Sequence, residues 1–277
     1  MKDNIKLAPF FNKKLKQIKM KDKEKQYTDA ILNSYPNATN IREPELYGSL
    51  HNVRLADIGD TTRVFKFSDE DLVLKNCKVS YLYKIRHIPA PIITVGDHNN
   101  LAFEDYVAIE GITLFDAIKK GIGHEQIQQI YRDIVDLIMK MERLYPDVLG
   151  SGKMHNAYEI AGAHATRTHG ITIGQLAKLL VFLANLNGKD MGLYHFDLGP
   201  KNIIVSNDGQ FKSLIDMDSV GCCSKNFAFG MLAARYNQIG MDMRDLFKYY
   251  DSQNNRPLNS EAIIKIARIR QKSLKKR

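Results

Sequence analysis

Between residues 43 and 110, short runs of branched and aromatic residues alternate with turn formers. The runs are Val64-Phe-Lys-Phe67, Leu72-Val-Leu-Lys75, Ile92-Ile-Thr-Val95 and Leu101-Ala-Phe103, and they are separated by segments such as Ser68-Asp69 and Asp97-His-Asn-Asn100. Runs of this length bounded by such residues predict a small antiparallel sheet. After Gly111 the period lengthens. Ile127, Ile130, Tyr131, Ile134, Ile138, Met141 and Leu144 share one face of a long helix, and Leu176, Leu179, Leu180, Leu183 and Leu186 share one face of a second over roughly 174–187. A β-like pair follows, Asn202–Ser206 and Phe211–Ile215, joined at Asn207-Asp208-Gly209, and helical texture continues to the end. The pattern predicts an α+β chain: a β-rich lobe at 43–106, then a mostly helical lobe at 107–261.

The ends differ from this body. Phe11, Leu15 and Ile18 follow helical spacing among lysines, and residues 1–42 read as a basic N-terminal arm. Residues 262–277 read as a basic C-terminal tail, a helix with a solvated face. Of a net +9, residues 1–25 hold +6 and residues 262–277 hold +7, so the segment 26–261 carries −4. The excess charge thus concerns the ends, which could contact an anionic surface. Nucleic acid is disfavoured, because aromatic residues are not interleaved with the C-terminal cations. No apolar run approaches the length of a membrane span. No apolar leader is visible, and three cysteines (Cys77, Cys222, Cys223) without metal spacing fit a reducing, cytoplasmic setting, peripheral to the membrane if the tails dock there.

The densest polar motif is at 193–218, Leu-Tyr-His-Phe-Asp-Leu-Gly-Pro-Lys-Asn-Ile-Ile-Val-Ser-Asn-Asp-Gly-Gln-Phe-Lys-Ser-Leu-Ile-Asp-Met-Asp. Asp197 and Asn202 fall on a short loop before one strand, and Asp216 ends the next. Hairpin pairing would bring Asp216 back beside Asn202. An amide oxygen and a carboxylate converging there suit Mg²⁺, which takes one or two protein carboxylates and completes its shell with phosphate oxygens and water. Asp197 could then accept the proton of an attacking hydroxyl. Gly150-Ser-Gly-Lys153 is a decoy: Asp147 stands where a phosphate loop needs its first Gly, and Met154 where it needs Ser or Thr. His155, His164 and His169 have no zinc spacing and read as a polar loop.

His195-x-Asp197-Leu198-x-Pro200-x-Asn202, with Ile215-Asp216 following, resembles the catalytic and metal-binding loops of the protein-kinase-like fold. It is closer to the branch of aminoglycoside phosphotransferases, choline kinases and bacterial glycan kinases than to ordinary protein kinases, which carry Asp-Phe-Gly where this chain has Asp216-Met-Asp218. The resemblance covers about residues 55–220. It implies a bilobal fold with a small antiparallel sheet and a mostly helical second lobe, with ATP and Mg²⁺ as cofactors. Asp197 would be the catalytic base, Asn202 and Asp216 the metal ligands, and His195 a scaffold for the loop. Asp57-Ile-Gly59-Asp60-Thr61-Thr62 resembles the strand–turn–strand nucleotide loop, so Gly59, Asp60 and Thr61 would face phosphates. Leu72–Lys75 resembles the strand whose Lys grips them, and Phe103-Glu104-Asp105-Tyr106 the segment leading into the hinge that receives adenine.

Two departures stand out. The family pairs its strand Lys with a Glu on the following helix, yet no acid lies between Lys75 and Asp97, and Ile88-Pro89 arrives soon after Lys75. The helix is therefore expected to be shortened or missing, with Asp216 or Glu70 as substitute partners. Asn226-Phe-Ala-Phe-Gly230 also replaces a supporting Asp-Leu-Ala type stretch. The implied activity is transfer of the γ-phosphate to a hydroxyl of a sugar, glycan or aminoglycoside-like substrate. A protein Ser/Thr kinase shares the same residues, but only 59 positions follow Asp218, little room for peptide docking. A nucleotide-binding pseudokinase acting as an interaction module is the reading from another class.

Overall fold

The computed structural model describes residues 22–44, 52–144, 191–254 and 257–274. The expected helix at 174–187, the loop at 146–173 and the apolar positions Phe11, Leu15 and Ile18 lie outside the described residues. The chain forms two compact units, Met1–Cys77 with Ile93–Ala108, and Lys78–Ile92 with Ile109–Arg277.

The first unit is built on a five-stranded antiparallel sheet. Its strands are β1 (Thr39–Arg42), β2 (Val53–Ile58), β3 (Thr61–Phe67), β4 (Thr94–His98) and β5 (Leu101–Val107), in the order β1-β2-β3-β5-β4. Helix α1 (22–34) lays Tyr27, Ala30 and Ile31, at i, i+3 and i+4 spacing, on a core of Ala56, Phe65, Phe67 and Phe103. Tyr27 stacks on Phe67 with centroids 4.2 Å apart. The buried guanidinium of Arg54 on β2 pairs with Glu24 of α1 and lies 3.3 Å from Glu43. Residues 22–42 are therefore a structural layer of this unit, which corrects their assignment to a basic arm. The sequence misled because α1 carries its lysines on the outward face.

A second correction concerns Leu72–Lys75, expected as a strand. These residues lie within helix α2 (Glu70–Ile85). Asp69 supplies the reason: its side chain accepts the N–H of Leu72 at 2.9 Å, and Glu70 and Asp71 fill the first turn, where carboxylates meet exposed N–H groups. The helix expected to be shortened or missing is thus present and 16 residues long.

The second unit contains β6 (Ile112–Thr113), α3 (Leu114–Lys119), α4 (His124–Met141), β7 (Met191–His195), β8 (Ile203–Val205), β9 (Phe211–Leu214), β10 (Val220–Ser224), α5 (Lys225–Gln238), α6 (Met243–Gln253) and α7 (Ser260–Leu274). Strands β6, β8 and β9 form one small antiparallel sheet, and β7 pairs with β10. The face expected of α4 is buried as the period required, from Ile127 through Met141. Tyr131 of α4 meets Tyr236 of α5 edge to face at 4.7 Å. Helix α7 buries Ala262, Ile263, Ile266 and Ala267, and packs on α5, where Gly230 leaves room for Ile266. Ser260–Leu274 are thus a helix that exposes Lys265 and Arg268 and buries its other face on α5, rather than a tail beyond the core. Among the described residues no helix is long and apolar enough to cross a membrane.

Candidate active site

The loop after β7 sets the proposed chemistry through alternation. Phe196 and Leu198 are buried, with Phe196 tilted against Phe227 at 6.4 Å, so the intervening Asp197 points away from the core and is 28% exposed. The Phe196 N–H donates to the Ser219 carbonyl at 3.0 Å, continuing the β7–β10 pairing into the loop. Pro200 then starts a single short turn, Pro200–Asn202, closed by the Asn202 N–H on the Gly199 carbonyl at 2.9 Å. Proline suits this first position because its missing N–H has no partner there to lose.

His195 is 1% exposed and ties the two sides of the motif together. Its Nδ1 accepts the Asp197 N–H at 3.3 Å, so its Nε2–H donates to the Ile215 carbonyl at 2.9 Å. A neutral imidazole with that tautomer satisfies both contacts. These bonds make a brace between the Asp197 loop and the strand leading to Asp216.

The β8–β9 hairpin has the expected register, with Ile203 opposite Leu214, and the Ile215 N–H donates to the Asn202 carbonyl at 3.0 Å. This puts Asn202 and Asp216 on neighbouring rungs. Asn202 spends its Nδ2 on the Asp197 carbonyl at 2.8 Å, which turns Oδ1, the better cation ligand, the other way. Asp216 has φ 65° and ψ 67°, a left-handed conformation that Asp tolerates better than most residues and that redirects its side chain at the strand end. One amide oxygen and one carboxylate match the protein share of a Mg²⁺ shell. No cluster of three or more His, Cys, Asp or Glu side chains among the described residues would hold a metal unaided. An amide oxygen with one carboxylate is a donor set that suits a cation arriving with phosphate oxygens.

Sequence reasoning missed Arg235. From the last turn of α5, its Nε and Nη2 donate to the same oxygen of Asp197, Oδ1, at 3.1 and 2.5 Å. Nothing in the motif spacing points to it, because 38 residues separate the partners and helix packing alone joins them. Lys201 rests over the Phe115 ring at 5.3 Å from the centroid, in keeping with a surface side chain.

In the first unit, the lysine borne on a strand is Lys66 of β3. It lies directly opposite Glu104 of β5, and both are buried. Asn76 of α2, also buried, donates its Nδ2 to Glu104. Lys75 is buried as well, but on the helix. Glu104 is flanked by Lys66 on one side and Val95 on the other, so it belongs to the interior of the sheet, within the strand that ends at Val107. Tyr106 lies two residues further along, beyond the last pairing with β4 at Asp105. Gly59-Asp60 form the two-residue turn between β2 and β3, and Gly59 supplies the positive φ (59°) of its first position, with Thr61 opening β3. Below this turn, Asp57 accepts from Asn40 at 2.7 Å and Thr62 at 2.8 Å, and these bonds with nearby Arg42 hold its carboxyl below the usual range.

No family model matches the chain, and no curated protein sequence is significantly similar to it. Solved structures do match. An aminoglycoside-3'-phosphotransferase of type VIII superposes with a TM-score of 0.64 at 14% identity, covering 88% of this chain and 98% of its own. The choline kinase LicA from Streptococcus pneumoniae gives 0.61 at 16% identity, covering 91% and 88%. The aminoglycoside phosphotransferase APH(3'')-Id from Streptomyces rimosus, in complex with ADP and streptomycin, gives 0.63 at 15% identity, covering 90% and 98%. At such identities the likeness concerns the fold. The order of the sheet, the helix between β3 and β4 and the hairpin after the Asp197 loop are thus parts of one architecture: this chain has the protein-kinase-like fold of the aminoglycoside phosphotransferases and choline kinase.

Proposed function

We propose that the protein is a phosphotransferase that moves the γ-phosphate of ATP, with Mg²⁺, to a hydroxyl of a small polar substrate such as a sugar, glycan or aminoglycoside-like molecule. The observation that carries this reading is the bracing of the loop and hairpin that bear Asp197, Asn202 and Asp216: His195 bridges the Asp197 N–H to the Ile215 carbonyl, and the Ile215 N–H pairs with the Asn202 carbonyl. Asp197 takes the hydroxyl proton as the acceptor oxygen bonds to the γ-phosphorus, and the bond to the β-bridging oxygen breaks with its electron pair leaving on ADP. Asn202 Oδ1 and Asp216 would hold Mg²⁺, which supplies charge neutralisation to the phosphates when bound. His195 keeps the loop in register with Ile215. Catalysis of this kind is largely positioning and electrostatics.

For the nucleotide, buried Lys66 is the cation on a strand, and Lys75, Gly59, Asp60, Thr61 and Tyr106 remain candidates for phosphate and base contacts. Glu104 acts instead as the buried carboxylate of the Lys66 and Asn76 neighbourhood. It occupies the chemical place of the helix Glu that the sequence lacks, and this weakens the main motive for a pseudokinase. The test is ATP turnover by the purified protein against a panel of sugars, aminoglycosides and generic protein substrates, with and without Mg²⁺. Turnover that requires Mg²⁺ and disappears in Asp197→Ala supports the reading. Absence of both Mg²⁺-dependent nucleotide binding and turnover overturns it, and phosphorylation of the protein substrates alone favours a protein kinase.

A further inference from the structure

We infer that Arg235 is a positioning residue for Asp197: it holds one carboxylate oxygen so that the other receives the proton of the acceptor hydroxyl. The inference rests on the phosphotransferase reading of the Asp197 loop. Its first support is the geometry of the pair. Nε and Nη2 converge on Oδ1 alone, at 3.1 and 2.5 Å, rather than taking one oxygen each. A fork spread over both oxygens would occupy the whole carboxylate edge. Two donors on one oxygen instead fix the carboxylate plane while directing an incoming proton to Oδ2, which lies 3.5 Å from the Asn202 amide nitrogen.

The second support is that the surroundings are shaped for this contact. Gly199 follows Asp197 by two residues, with extended backbone (φ −81°, ψ 161°) that any residue can adopt. A Cβ there would lie 3.2 Å from Arg235 Nε and 3.4 Å from Cδ, so lack of a side chain, not backbone freedom, is what the position provides. On the other flank Arg235 Nη1 donates to Gln238 at 3.4 Å, one turn on along α5. The guanidinium is therefore bounded by the loop it serves and by its own helix. It is 19% exposed, enough for solvent-borne ions to reach its place when it is removed.

When Asp197 gains the hydroxyl proton, Arg235 keeps its charge beside a neutral acid. The lost ion pairing opposes protonation of Asp197, so the contribution of Arg235 is to the orientation of the carboxylate and not to its basicity.

The experiment compares wild type, Arg235→Ala, Arg235→Lys, Gly199→Ala and Asp197→Ala in steady-state ATP turnover, with and without added guanidinium chloride at concentrations well below those that unfold the protein. Loss of orientation at a reacting group costs about 100-fold in rate. We expect Arg235→Ala to lose about that factor in kcat with KM for ATP changed less than about twofold, and free guanidinium to restore at least about a tenth of the loss while leaving Asp197→Ala inactive. Arg235→Lys should fall between, since a point charge cannot place two parallel N–H groups. Gly199→Ala should lower kcat without lowering thermal stability. An Arg235→Ala enzyme within about threefold of wild type overturns the inference, as does a loss that guanidinium does not relieve and that Lys reproduces in full. If Arg235→Ala fails to fold, Gly199→Ala decides, and unchanged kcat there counts against the inference. If wild type itself turns nothing over, the phosphotransferase reading falls and takes this inference with it. An active wild type with an indifferent Arg235 removes this inference alone.

Discussion

Truncating Ile263 to Ala separates a core α7 from a solvated basic tail. Ile263 is fully buried and Ile266 nearly so, on the stripe that α7 presents to α5. Replacing a buried Ile by Ala removes its transfer free energy and leaves a cavity, together about 2–5 kcal/mol. Little collapse is available at this place. The facing surface of α5 is already close, with a Cβ on Gly230 falling 2.5 Å from Ile266 Cγ2 and 3.4 Å from the Ile263 carbonyl. The upper half of the range, about 3–5 kcal/mol, is therefore expected. Against a total of about 5–15 kcal/mol this is a large fraction. The assay is urea unfolding followed by far-UV circular dichroism, with the change read from the midpoint at unchanged slope. Arg268→Ala, at an exposed position of the same helix, is the control and should stay within about 0.5 kcal/mol. A loss below about 1 kcal/mol for Ile263→Ala, or equal effects of the two substitutions, would refute the packing of α7 as a core element.

Three further outcomes follow from the same geometry. Lys66→Met should weaken ATP binding by about 10- to 100-fold, as expected for losing charge-assisted hydrogen bonds, measured by isothermal titration; a Lys66→Met protein that binds ATP normally removes this residue from the nucleotide site. Asp216→Asn keeps a side chain that tolerates the left-handed backbone (φ 65°) but removes the charge, so Mg²⁺-stimulated turnover should fall by at least about 100-fold with the melting temperature held. Burial pushes the Tyr236 hydroxyl up to about 12, and it raises Tyr83 and Tyr131 as well. The folded state therefore keeps protons that the unfolded state releases from about pH 10, and stability should fall as pH rises through 10 to 12; melting temperatures at pH 9 and 11 that coincide would contradict this.

Much of the fold was legible because local physics dictated it. The 3.6-residue period of α4 specifies its buried face, and turn residues at 207–209 specify the hairpin that brings Asn202 to Asp216. The grouping of Asp197, Asn202 and Asp216 was legible for the same reason, since a loop and one hairpin join them. Leu72–Lys75 shows where local reading fails. Four residues of apolar and branched character suit a strand or a helix equally, and the deciding feature was the cap at Asp69, which reads on its face as a turn. That error moved the strand lysine from Lys66 to Lys75 and made a helix seem missing.

Short-range pattern was enough for the pieces whose partners lie within a hairpin or a helical turn: the α+β class, the amphipathic α4 and the grouping of Asp197, Asn202 and Asp216. It also determined the charge of the ends, without saying whether charged helices were buried on one side. Long-range packing set the rest. It turned residues 22–42 and 262–274 from basic extensions into packed layers, because a few apolar positions per turn outweigh exposed lysines once a matching surface is present. It set Lys66 opposite Glu104 across two strands, and Arg235 on Asp197 across 38 residues. Pairings of that separation leave no periodic trace in a single chain, since they depend on which elements fold against each other rather than on the residues between them.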